Sequence, residues 1–134
     1  MEDEVKHIQY GIALIVPTLL LLFSIYFKTH IPKKRNALYG YRTGGSARNQ
    51  DTWNEANLYF SKVFFKVSVF IFNLELLIML FAKYLATLVD SETLYHLANM
   101  APLIIFPLST ILLTEIHMSK IFTKEGIRKS SQKS

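Results

Sequence analysis

The sequence predicts an all-α integral membrane protein of three transmembrane helices, with an ordered cytoplasmic loop between the first and the second. Three observations carry that prediction. Hydrophobic residues make up 51% of the 134 and are gathered into three runs, at about 10–27, 63–89 and 97–122. Such runs match the roughly 20 residues a helix needs to cross about 30 Å of hydrocarbon. The first run carries no charged face, which a core helix of a water-soluble domain would need. Between the first two runs lies 31–57, IPKKRNALYGYRTGGSARNQDTWNEAN, which is polar, basic and aromatic.

The length fits one domain, 1–134. A net charge of +5 does not point to nucleic acid, because the basic residues mostly flank the apolar runs, where membrane orientation accounts for them. With no cysteine, disulfides, thiolate metal sites and thiol catalysis are excluded. The acidic start, Met1-Glu2-Asp3-Glu4, lacks the basic n-region of a signal peptide, so the first run is expected to remain as an anchor.

In the first span Pro17 removes a backbone donor and is expected to kink the helix. Phe23, Tyr26, Phe27 and Lys28 suit a helix end at headgroup level. Pro32 disfavours helical angles at Ile31, so the helix should stop there. Lys33, Lys34 and Arg35 follow as a topology-determining triplet. Gly40, Gly44 and Gly45, with Arg42, Thr43 and Ser46, could shape an anion-binding concavity, although the order is not that of a P-loop. Thr52-x-x-Glu55 fits a capping box, with Asp51 favourable to the helix dipole. The helix it opens should run from about 53 to 89, on the order of 50 Å, and enter the membrane near 63. Asp90 and Ser91 cap a brief turn before the third span, which Pro102 and Pro107 bend. The tail, 123–134, is basic and serine-rich and expected to be disordered past Ile127. Gly11 is the only glycine in a span, so close packing falls to small residues such as Ser68 and Thr110, with Ala82 and Ala86 facing Ala98 and Ala101 near the outer side.

Segment 28–62 holds seven Lys or Arg and the tail from Lys120 five, against Lys6 alone before the first span and none between the second and third. The positive-inside rule places both basic segments in the cytoplasm, with the amino terminus outside.

Lys66, Asn73, Glu75, Glu115 and His117 interrupt the second and third spans. Lys66 and Lys83 lie near span ends and can snorkel. Glu75 falls close to the midplane, where an acid costs about 3 kcal/mol and should face protein or water. Lys66 and Glu115 are expected at similar depths and could pair. Glu115 and His117, two apart, do not share a helix face. No metal site is indicated: HExxH is absent and the four histidines are scattered. No serine has a nearby base and acid, so neither enzyme activity nor a cofactor is expected.

Pro32, Asn36, Gly40-Tyr41-Arg42-Thr43, Ser46, Asn49, Trp53 and Ala56-Asn57 together resemble the signature of the SdpI family, small bacterial membrane proteins. The resemblance implies immunity to a membrane-active peptide toxin, for a chain similar to the short, three-span members in the bacterial cytoplasmic membrane. On the residues themselves, Arg42 has Asp51 and Glu55 as carboxylate partners in reach of the loop. Asn36, Asn49 and Asn57 can satisfy loop amides, and Tyr41 and Trp53 can anchor the loop at headgroup depth. The same loop serves as a structural cap or as a binding surface. The partners considered are membrane lipids, a peptide toxin or another membrane protein. An alternative is a scaffold or signalling subunit that holds a cytoplasmic partner, or lipid headgroups, through its basic loop.

Overall fold

Three helices, α1 (Ile15–Thr29), α2 (Gln50–Leu88) and α3 (Glu92–Ile121), make up the described fold in chain order. It was obtained as a computed structural model that describes residues 14–88 and 92–129, apart from the side chains at 82, 83 and 85–99. Two of these helices contain stretches long and apolar enough to cross a membrane, Gln50–Phe81 and Met100–Ile121. Only 22% and 11% of their most apolar windows is buried within the protein, so these are not core helices of a water-soluble fold. Apolar side chains left outward, among them Leu19 and Leu22 of α1, Phe70 and Leu80 of α2, and Ile104 and Leu112 of α3, suit surroundings of lipid.

α1 ends at Thr29, one residue before His30, whose amide still donates to Tyr26 O at 2.9 Å. The Pro32 rule therefore placed this end well. Residues 10–13 of the expected first span, the charged amino terminus and the turn at 89–91 lie outside the described residues, as do the side chains of Lys83 and of Ala82, Ala86 and Ala98 in the expected seam. α3 is one helix from Glu92, without a separate short turn ahead of a span at 97.

α2 is the spine. At 39 residues it is about 58 Å long, more than a bilayer requires. It packs against both other helices. Its inward face reads Asn57, Ser61, Phe64, Ser68, Ile71 and Glu75, at the three- and four-residue spacing that keeps side chains on one stripe. α3 answers with Thr110, Thr114 and Met118, and α1 with Pro17, Ser24 and Phe27, all buried. Small hydroxyl residues let helices approach closely where no glycine is present. Their hydroxyls turn back onto their own helix: Ser24 to Leu21 O, Ser61 to Leu58 O, Thr110 to Pro107 O and Thr114 to Thr110 O, at 2.6 to 2.8 Å.

Among the described residues a buried core cluster lies at the loop end of the bundle. Tyr41, Ala56, Met118 and Phe122 form a buried cluster joined by Phe60 and Ile121. Phe60 stacks on Tyr41 at 4.8 Å and on Phe64 at 5.3 Å, and Phe27 meets it edge-on at 5.4 Å. α1, α2 and the loop thus share one aromatic centre, which Met118 and Ile121 of α3 border.

Candidate functional site

The candidate site is the cap built by residues 30–49 on the loop end of α2 and α3. Asn36 starts it: its Oδ1 accepts from the amides of Leu38 and Tyr39 at 2.9 and 3.0 Å, and its Nδ2 donates to Lys34 O. This side-chain mimic of a backbone turn sends the chain back toward α2. Gly40 then takes φ +123°, a region open to glycine. A Cβ there would stand 2.9 Å from Asn57 Oδ1 and from Pro32 Cγ, and 3.1 Å from the Trp53 ring.

Asn57, fully buried, holds the next residue from both sides of its backbone. Its Oδ1 accepts from Tyr41 N at 2.6 Å, while its Nδ2 donates to Trp53 O at 2.9 Å and Tyr41 O at 3.4 Å. Trp53, 1% exposed, donates Nε1–H to Pro32 O at 2.8 Å. Tyr41 and Trp53 were expected as headgroup anchors; both are instead interior, because the loop folds over them and supplies their polar partners. The Tyr41 hydroxyl donates to Glu115 Oε1 at 2.5 Å, fastening the loop to α3. Burial, and then the Glu115 carboxyl it faces, push this phenol up from its usual value, so it stays a donor.

The glycine-rich concavity does not form as an anion site. The Ser46 hydroxyl receives Thr43 N at 2.8 Å and donates toward Tyr41 O and Thr43 O, so the Thr43 and Ser46 donors are used within the turn. Gly44 and Gly45 are not at positive φ. The helix start also differs from the expected capping box. α2 begins at Gln50, and Asn49 and Thr52 cap it reciprocally: Thr52 N donates to Asn49 Oδ1 at 2.9 Å and Asn49 N to Thr52 Oγ1 at 3.1 Å. Asn49 Nδ2 also donates to Gly126 O at 2.8 Å, where glycine stands at φ +83° against it.

Displaced from capping, Glu55 turns to α3 and the tail. Its Oε1 accepts from His117 Nε2 at 2.9 Å, which places a proton on that nitrogen, and its Oε2 accepts from Arg128 at 3.1 Å. The His117 ring lies flat on Tyr59, centroids 3.7 Å apart. Arg128 grips Asp51 through two bonds, Nε to Oδ2 at 3.1 Å and Nη2 to Oδ1 at 3.0 Å, and the two carboxylates hold it charged more firmly than usual.

These contacts overturn three expectations. Arg42 does not pair with Asp51 or Glu55; it is exposed and donates Nη1–H to Ala37 O at 2.6 Å. Arg128 takes both acids because the chain after α3 turns back at Thr123–Gly126 and lays Arg128 against the start of α2. The tail is accordingly ordered through Lys129, not frayed from Ile127. Lys66 and Glu115 are not paired either, since Lys66 is exposed while Glu115 is engaged by Tyr41.

Of the other polar residues expected within the spans, Asn73 is exposed and folds its amide onto Val69 O at 2.8 Å. Glu75 is 2% exposed with no partner for Oε1, and Ser68 Oγ, two turns away, has none. Glu115 and His117 go to different partners, as their spacing implied. Among the described residues no group of His, Asp and Glu could hold a metal ion. Sequence reasoning missed Arg128, Gly126 and Arg35, whose guanidinium bonds Ala47 O and Arg48 O at 3.0 and 2.9 Å and closes the cap from outside. Gly126 followed by Ile127-Arg128 was the available signal, a turn and then an anchor.

Most of this cap, from residue 33 on, lies within a stretch, 33–116, that matches the profile of the SdpI/YfhL protein family. The chain belongs to that family. It is also similar to the uncharacterized protein YfhL of Bacillus subtilis (strain 168), 46% identical over 41 residues. That match takes in 31% of this chain and 37% of the YfhL protein. No solved structure matches. The family stretch covers cap residues 33–49, α2 and most of α3.

Proposed function

We propose that the chain crosses the membrane three times and protects its cell against a membrane-active antimicrobial peptide. The observation that carries this reading is membership of the SdpI/YfhL family across 33–116, in a chain whose long apolar helices are left unburied. In this reading the amino terminus is outside, the cap and carboxyl terminus are cytoplasmic, and no catalysis takes place. Seven Lys or Arg within 28–62 support the orientation. Protection would come from occupying or sequestering the peptide at the membrane, with the cap as the ordered surface that meets it.

Expression in a sensitive host under peptide challenge tests the function. Survival should rise for at least one membrane-active peptide; unchanged survival across a panel would favour a scaffold that holds a cytoplasmic partner. Orientation is tested by single-cysteine labelling at Asp3, Gly44 and Ser130. A Cβ at Gly44 meets nothing within 4 Å, so the label does not disturb the cap. Impermeant reagent outside intact cells should reach Asp3→Cys alone, and labelling of Gly44→Cys would refute the topology.

A further inference from the structure

On one side of the bundle α1 and α3 leave a cleft of about 690 Å³ roofed by cap residues 38–43. Phe23 and Phe27 of α1, Phe60 of α2 and Ile111 of α3 wall it, and Tyr39 and Arg42 form its rim. An apolar, aromatic hollow with one fixed charge at its mouth suits an amphiphile. Phe23 and Ile111 are themselves exposed, as are Leu19 and Leu22 of α1 and Leu108 and Leu112 of α3, so apolar surface continues from the cleft along both helices. A hydrocarbon chain could enter sideways without leaving the bilayer.

The rim is cationic and lacks a counter-charge. Among the described residues no Asp or Glu lines the cleft. Arg42 spends one guanidinium nitrogen on Ala37 O and has no carboxylate partner among the described residues. Leu38 beside it is 92% exposed, an apolar tip that water does not favour and a bilayer surface does. A second copy docking by twofold symmetry would set two such cationic rims together, which like charges oppose.

We propose that this cleft binds one anionic phospholipid, its acyl chain along Phe23, Phe27 and Phe60 and its phosphate on Arg42. A guanidinium can grip a phosphate through two parallel bonds, which an ammonium cannot. The proposal rests on the membrane placement given above.

Native mass spectrometry of the full-length chain in detergent tests it, with titration by phosphatidylglycerol, phosphatidylcholine and glycerol phosphate. One phosphatidylglycerol should be retained at concentrations where the other two are not. Arg42→Gln should weaken retention about tenfold, with Arg42→Lys in between, while Lys34→Gln, away from the cleft, changes it less than about twofold. Ile111→Trp, which narrows the cleft, should weaken it without touching any charge. Equal retention of phosphatidylcholine, or of glycerol phosphate alone, would overturn the proposal, as would equal losses in Arg42→Gln and Lys34→Gln. Any of these in a chain that stays in carbonate-washed membranes leaves the membrane placement standing; release by carbonate would overturn both.

Discussion

Gly40 is the least replaceable position of the cap. Alanine would have to take φ +123° and fit a methyl 2.9 Å from both Asn57 Oδ1 and Pro32 Cγ. The strain should cost about 1–3 kcal/mol, seen as a lower midpoint for thermal unfolding in detergent, while Gly44→Ala should leave the midpoint unchanged. Asn57→Ala should cost a similar 1–3 kcal/mol, roughly the penalty of leaving the buried Tyr41 amide without an acceptor. Glu75 works the other way. A buried carboxyl with an unmatched oxygen opposes folding, so Glu75→Leu should raise thermal stability by on the order of 1–3 kcal/mol. A lowered midpoint for Glu75→Leu would mean that the carboxyl has a partner within the fold. Loss of protection in a stabilised Glu75→Leu protein would mark the carboxyl as functional.

Among the elements, α2 depends most on what lies outside it. Its first turn is capped by Asn49, and Asn49 is in turn fastened to Gly126 beyond α3. Asn49→Ala should therefore exceed the ~1 kcal/mol of an ordinary cap loss and also loosen the chain after α3. Arg128 closes the same junction. Its ion pairs are partly exposed, so Arg128→Ala should cost only about 1 kcal/mol globally, yet make the segment after Ile121 sensitive to protease. Arg128→Lys should restore little of the resistance, because lysine cannot grip Asp51 through two bonds. Undiminished protease resistance in Arg128→Ala would show that the Asn49–Gly126 contact alone holds the tail.

In the molecule as a whole, the tertiary hydrogen bonds among the described residues gather at the cap end. The cap is held by directional hydrogen bonds beside water, whereas the apolar lengths of α2 and α3 need only lipid or detergent around them. Helices formed in a bilayer persist when their tertiary contacts fail. The single tryptophan, Trp53, sits inside the cap and reports on it. Under denaturant in micelles its emission should shift to the red before far-ultraviolet circular dichroism loses helix. Coincident transitions would mean that cap and spans unfold as one unit.

Helix type, the end of α1, the length of α2 and the family signature were determined by the sequence alone. Each depends on local or one-dimensional physics: apolar run length, a proline's restriction of the residue before it, and the spacing of Asn36, Gly40, Ser46, Asn49 and Asn57 within one loop. The partners of charged side chains were decided only in three dimensions. Arg42 is nearer in sequence to Asp51 and Glu55, but Arg128 reaches them because α3 returns to the start of α2 and the chain then turns at Gly126. Tyr41 meets Glu115 across 74 residues for the same reason. Long side chains choose among several partners within reach, and what is within reach is set by how helices pack, which no local pattern in the chain encodes.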